Sequence, residues 1–182
     1  MQNYGVSSSV ADLRRVAVRA PALDADYAGA HWQGAPAQLD LAALARDHAA
    51  FSTLLETLGC TVEHLLPASG MADAIFVYDP VWMTQAGAIQ LQCAKRVRQG
   101  ENSLLIRDLR ELGIPLLGSL FGDAFADGGD MVWLDERTVA LGRSYRTNAA
   151  GEEQLRRLMA PLGVKVLSFH MPHGLGPEYC LH

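Results

Sequence analysis

Leucines at spacings of three and four mark three helical faces in this chain, and each face runs out at a Leu-Gly pair. The stretch "LDLAALARDHAAFSTLLETLG" sets Leu41, Leu44, His48, Phe51, Leu55 and Leu58 along one side of a helix. "ENSLLIRDLRELG" repeats the pattern with Leu104, Leu105, Leu109 and Leu112, and "GEEQLRRLMAPLG" with Leu155, Leu158 and Leu162. The closing glycines are Gly59, Gly113 and Gly163. A glycine there is the usual left-handed helix stop. Pro161 is expected to kink or end the third helix early, because it removes a backbone donor.

The three glycines are 54 and 50 residues apart, a near-regular repeat. Strand-like runs fill the space between each glycine and the next helix. "TVEHLL", "DAIFVYD", "VWMT" and "AGAIQLQ" follow Gly59; "IPLLGSL", "DMVWLD" and "TVALGRS" follow Gly113. The repeating unit therefore reads strand, strand, helix, strand, with "LRRVAVR" opening the first copy. Strands alternating with helices predict an α/β protein built of about three such ββαβ modules, over residues 10–70, 71–120 and 121–170 of one domain spanning 1–182. A fourth module is expected to begin at 178–182.

At 182 residues the chain is long enough to bury a real core, and 49% hydrophobic with 19% charged residues is ordinary for a globular protein. A net charge of −5 and the lack of a Lys/Arg run argue against nucleic acid as a partner. No stretch has the length of a membrane span or a signal-peptide core, so no membrane partner and a cytoplasmic location are expected. Cys60, Cys93 and Cys180 are odd in number and widely spaced, which fits a reducing compartment and argues against a zinc site; no cofactor is expected.

Polar residues recur at one place in the repeat. Asp79 lies 20 residues past its glycine, Asp127 and Asp130 lie 14 and 17 past theirs, and His182 lies 19 past its own. Modules arranged around an axis would bring such positions together, and carboxylates converging with a histidine make a reaction site. In "DAIFVYDP", Asp73 and Asp79 share a face if the strand is regular; otherwise they are turn residues beside Pro80. "ADGGD" lacks a phosphate-loop Gly-Lys-Ser/Thr and the EF-hand spacer, and its acidity suits a guanidinium or ammonium. Arg96, Arg98, Arg143 and Arg146 are either solvated surface or forks for a carboxylate. Together these residues match a zwitterionic amino acid with a cationic tail. His170, His173 and His182 crowd the C-terminus without a metal-ligand pattern.

Taken in order, "DAIFVYDPVWMTQAGAI", "RQGE", "GGDMVWLDERTVALGRSYRTNAAG" and "GPEYCLH" resemble the guanidino-group modifying enzymes, the dimethylarginine dimethylaminohydrolase, arginine deiminase and amidinotransferase-like proteins. The resemblance runs from "YGVSSSVADLRRVAVRAP" to the last residue. It implies the pentein fold, a five-bladed α/β propeller of ββαβ modules, only part of which this chain would supply. It implies hydrolysis of the guanidinium C–N bond of arginine or a methylated arginine, or amidino transfer. The family's cysteine attacks the guanidinium carbon, a histidine acts as acid and base, and carboxylates hold the cation.

Carried over by motif, Asp79 is the acidic residue of the first acidic motif and Asp73 a nearby substrate contact. Asp127 and Asp130 are the ends of an acidic Gly-Asp motif. Arg98 and Arg146 are the arginines for the substrate carboxylate, and His182 is the catalytic histidine. Three departures follow. Asp127 stands where the family usually has Glu, one methylene longer. Tyr78 stands where the dimethylarginine enzymes have Glu. None of the cysteines matches the nucleophile, which the family carries near its C-terminus and which is expected to lie beyond this chain, so the expectation is a hydrolase of which this chain alone lacks covalent turnover. A non-catalytic arginine-binding module is the alternative, and self-association through the edges of an incomplete propeller is a further expectation.

Overall fold

The computed structural model describes residues 4–30 and 39–172. His173, Cys180 and His182, and with them the expected fourth module, lie outside the described residues. Two compact units emerge: one spans residues 12–77, the other joins the chain from Tyr78 onward with the N-terminal residues up to Ala11.

In the first unit, strand β1 (Arg15–Arg19) pairs in parallel with β2 (Thr61–Leu65), from Arg15 opposite Thr61 to Arg19 opposite Leu65. Helix α1 (Leu41–Thr57) makes the crossover that a parallel pair requires. Asp40 caps α1 by accepting from the Ala43 amide at 2.9 Å. Among the described residues the first copy is thus βαβ.

The second unit holds two full copies of the ββαβ pattern. Strands β3 (Val81–Thr84) and β4 (Gly87–Gln90) form an antiparallel hairpin, α2 (Glu101–Glu111) crosses over, and β5 (Leu116–Ser119) pairs in parallel with β4. In the next copy, β6 (Met131–Asp135) and β7 (Thr138–Arg143) are the hairpin, α3 (Ala149–Met159) the crossover, and β8 (Lys165–His170) the parallel partner of β7. α3 stops at Met159 and a single 3₁₀ turn containing Pro161 follows, as expected from the proline.

All three helices end alike. Gly59, Gly113 and Gly163 have φ of 91°, 76° and 69°. After α1, the Gly59 amide reaches Glu56 O and the Cys60 amide reaches Leu55 O; after α2, Gly113 reaches Arg110 O and Ile114 reaches Leu109 O. After the α3 turn, Gly163 reaches Ala160 O and Val164 reaches Met159 O. Glycine takes the left-handed conformation without a Cβ penalty, so each Leu-Gly pair closes its helix and releases the chain into a strand.

The core of the second unit lies between its sheets and α3. Ile89, Leu91, Val139, Leu141, Leu155 and Met159 are fully buried there. The rings of Trp82 and Trp133, from equivalent first strands of the two copies, stack with centroids 5.5 Å apart. The N-terminal segment joins this unit: Ser7 Oγ accepts from Gln85 Nε2 at 2.7 Å, and Ser9 Oγ accepts from the Trp133 amide at 2.9 Å.

One expected strand is absent. Residues 72–75 of "DAIFVYD" form a 3₁₀ turn, and turns continue to Pro80. The backbone satisfies itself locally, with the Ala74 amide on Met71 O at 3.3 Å and the Phe76 amide on Asp73 O at 3.0 Å. Sheet pairing begins only at Pro80, whose carbonyl accepts from Leu91. Asp73 and Asp79 therefore do not share a strand face. Asp73 is buried in the first unit, and Asp79 opens the second.

Candidate active site

Asp79 and Asp127 occupy corresponding places in the two ββαβ copies, just before β3 and just before β6. The chain brings them together through backbone: the Gly128 amide donates to Asp79 O at 2.9 Å. A side chain at 128 would collide with the carbonyl oxygen of Tyr78 and crowd that of Val81, so glycine lets these loops approach so closely. Tyr78 adds a hydroxyl bond to Met131 O at 3.2 Å and packs edge-on against Trp82.

The Asp127 and Asp79 carboxyl groups are in hydrogen-bond contact. Burial, and then the charge of Asp79, push the Asp127 carboxyl up to about 7, against the smaller opposing pull of Arg98 and Arg146. Asp127 is 3% exposed and caps its own turn through the Gly129 amide. Arg146 Nη1 lies 3.5 Å from Asp127 Oδ2, and its side chain is 39% exposed.

Arg98 is as buried as Asp127. Its Nη1 donates to Asp79 Oδ2 at 2.5 Å, while Nε and Nη2 both reach Glu101 Oε2 at 2.9 and 2.8 Å. Burial opposes its charge, yet the hydrogen bond and charge of Glu101, with Asp79, hold the guanidinium above its ordinary value. The guanidinium fork expected to hold a substrate carboxylate thus rests on two protein carboxylates. Arg146 is the more accessible of the two expected carboxylate binders.

Asp130 ties the loop down. Its Oδ2 accepts from Thr147 Oγ1 at 2.6 Å and from Ser144 Oγ at 3.4 Å, and the Thr147 hydroxyl in turn accepts from the Asp127 amide at 3.2 Å. Thr147 therefore sets both ends of "DGGD". Of the other candidates, Arg96 is exposed, Arg143 pairs with Glu152 at 3.4 Å, and His170 is exposed at the end of β8.

Two members of the cluster escaped sequence reasoning. Glu101 is 3% exposed at the first position of α2; its signal was the Arg-x-x-Glu spacing inside "RQGE". Cys93, shortly after β4, is buried within electrostatic reach of Arg98, Asp127, Glu101 and Asp79. Burial pushes its thiol up to about 12, so it stays an uncharged thiol rather than an activated nucleophile. Nothing in the sequence around Cys93 signalled this position. Among the described residues no group of His, Cys, Asp and Glu is arranged to hold a metal ion, and no helix is long and apolar enough to cross a membrane.

What the site can do follows from its charge. Three carboxyl groups (Asp79, Glu101 and Asp127) pair with two guanidinium groups (Arg98 and Arg146), and a fourth, Asp130, is held by hydroxyls in the same loop. That acidic excess, desolvated at Asp127, has the chemistry to accept a planar cation with several donors.

No family model matches the chain. Over 102 residues it is 31% identical to an N(G),N(G)-dimethylarginine dimethylaminohydrolase of Streptomyces coelicolor, covering 56% of this chain and 39% of that protein. Over 125 residues it is 25% identical to the Pseudomonas aeruginosa enzyme of the same name, covering 69% and 49%. The match thus spans about two fifths to half the length of these relatives. Among solved structures, the Pseudomonas aeruginosa enzyme in complex with citrulline superposes with a TM-score of 0.78 at 22% identity, over 90% of this chain and 63% of that one. The substrate-bound N-terminal domain of a cyanobacterial arginine dihydrolase gives 0.74 at 17%, over 92% and 66%. An amidinotransferase of saxitoxin biosynthesis from Microseira wollei gives 0.70 at 19%, over 92% and 62%. These structural likenesses establish the mixed α/β fold that the chain shares with these enzymes, and in sequence the chain is similar over part of its length to dimethylarginine dimethylaminohydrolases.

Proposed function

We propose that this chain forms the guanidinium-recognising part of a hydrolase that cleaves the guanidinium C–N bond of arginine or a methylated arginine. The observation that carries the reading is the pairing of the buried Asp127 with the half-buried Asp79 within an acidic excess. A guanidinium is planar, permanently charged and rich in donors, and so fits two adjacent carboxylates bidentately. In this reading Asp79 and Asp127 receive the guanidinium, Arg146 takes the substrate carboxylate, and Arg98 fixes Asp79 from behind while Asp130 holds the loop. The ββαβ units are modules of a five-bladed propeller that this chain supplies in part.

The reaction needs a thiolate and a proton carrier. A cysteine adds to the guanidinium carbon, the amine leaves with a proton from the histidine, and water cleaves the thiouronium to return the thiol and a ureido product. His182 is the expected proton carrier and lies outside the described residues. Cys93, the cysteine within this cluster, is held as a neutral thiol and is not that thiolate. The condition of Cys93 also favours a second reading, in which the chain binds arginine without turning it over.

Calorimetry with arginine, a methylated arginine and citrulline tests the reading. Arginine or its methylated form is expected to bind, with citrulline at least tenfold weaker because its ureido group is uncharged, and Asp79→Asn should abolish binding. No heat with either cation, or equal affinity for citrulline, would refute it. Citrulline formation that survives replacement of each cysteine would overturn the assignment of the nucleophile.

A further inference from the structure

Two carboxyl groups, of Asp79 and Asp127, meet in the proposed cation site, and their surroundings differ. The geometry is specific. Two carboxyl groups in contact cannot both be ionised at low cost. Arg98 approaches Asp79 Oδ2 to 2.5 Å, whereas Arg146 stands 3.5 Å from Asp127 Oδ2. The stronger fixed positive charge is therefore on the Asp79 side, and the shared proton belongs to Asp127. Thr147, which could have donated to Asp127, instead gives its hydroxyl proton to Asp130.

We propose that the Asp79–Asp127 pair exchanges this proton for the incoming guanidinium, so that filling the site releases one proton to solvent. This rests on the guanidinium reading above. The balance is simple. The Asp127 O–H bond breaks, its electron pair stays on the carboxylate oxygen, and the proton goes to the buffer as the guanidinium N–H groups take its place. A protonated carboxyl lacks the two acceptor edges that a bidentate guanidinium requires, so the proton and the ligand compete for the same oxygens.

The groups facing Asp127 support a single exchanging proton. Asp79 comes from the segment before β3, Cys93 from the segment after β4, Arg98 and Glu101 from the entry to α2, and Arg146 and Thr147 from the segment after β7; Asp130 lies in the same turn. Burial keeps Cys93 neutral, and Glu101 holds Arg98 charged. The site is thereby regulated by pH: affinity for a guanidinium should rise about tenfold per pH unit below about 7 and level off above it.

Two measurements test the exchange. The first follows aspartate side-chain carboxyl carbons by NMR in the ligand-free chain. One carboxyl should titrate near pH 7, far above the ordinary aspartate range, and Asp127→Asn should delete that signal. If every aspartate titrates below about pH 5, the ordinary range has been kept and the proposal falls. The second is calorimetry with arginine in buffers of different ionisation heat. About 0.9 proton should be released per arginine at pH 6 and about 0.1 at pH 8, as a group titrating near 7 requires. Arginine that binds at pH 6 without releasing a proton overturns the exchange and leaves the guanidinium reading standing. Absence of arginine binding at both pH values, with the shifted carboxyl present, removes the guanidinium reading and the exchange with it.

Discussion

Replacing Asp127 by asparagine should change how the protein's stability responds to pH. Asp127 is almost fully buried, and its carboxyl rises from an ordinary 3.8 to about 7. Between those values the folded chain keeps a proton that the unfolded chain has lost. The stabilising contribution is therefore complete below about pH 4 and is lost as pH climbs through about 7. A displacement of about three pH units corresponds to on the order of 4 kcal/mol in full. Between pH 5 and 8, the range accessible to a denaturation series, it amounts to roughly 2–3 kcal/mol. The amide of asparagine is neutral at every pH and mimics the protonated acid, so Asp127→Asn should lack this decline. Urea unfolding of both proteins at several pH values provides the assay, and the difference between the curves cancels all other titrating groups. The wild type should lose roughly 2–3 kcal/mol relative to the variant from pH 5 to pH 8. A difference that stays constant over that range would show that Asp127 titrates like an ordinary carboxyl, and the account of the pair would be wrong.

Two further outcomes follow from the same cluster. Glu101→Ala should cost about 3–5 kcal/mol, because it leaves the buried Arg98 fork half-paired; in a denaturant series, a loss below about 1 kcal/mol would mean the Glu101–Arg98 contact holds nothing in place. Gly128→Ala should cost about 1–3 kcal/mol by driving a methyl into the Tyr78 carbonyl and should spread the two loops apart; an alanine variant with unchanged stability and an unchanged Asp127 titration would contradict the close approach.

How much of this was legible in the sequence depends on the range of the interaction. The helix faces and their ends are local. Leu155 and Met159, four apart, both reach full burial, and the three Leu-Gly stops all adopt positive φ, because helical spacing and the missing Cβ act within a few residues. The hairpins and their parallel partners follow from the same local order of elements. "DAIFVYD" has the apolar composition of a strand without forming one, because a strand also needs a neighbour and pairing begins only at Pro80.

Local pattern alone carried the repeat, the ββαβ order of its second and third copies, the acidic residues at matching positions and the two arginines near them. Only the tertiary structure decided what those residues are to one another. Arg98 turned out to be gripped by Asp79 and Glu101, Asp130 by Thr147, and Asp79 came into contact with Asp127. Asp79 and Asp127 are 48 residues apart in the chain, and no local rule specifies their distance. Their contact depends on a glycine at 128 that admits the Tyr78–Asp79 backbone. The charge state of Asp127 depends in turn on burial and on that neighbour, since a carboxyl group titrates according to its surroundings in space rather than its place in the sequence.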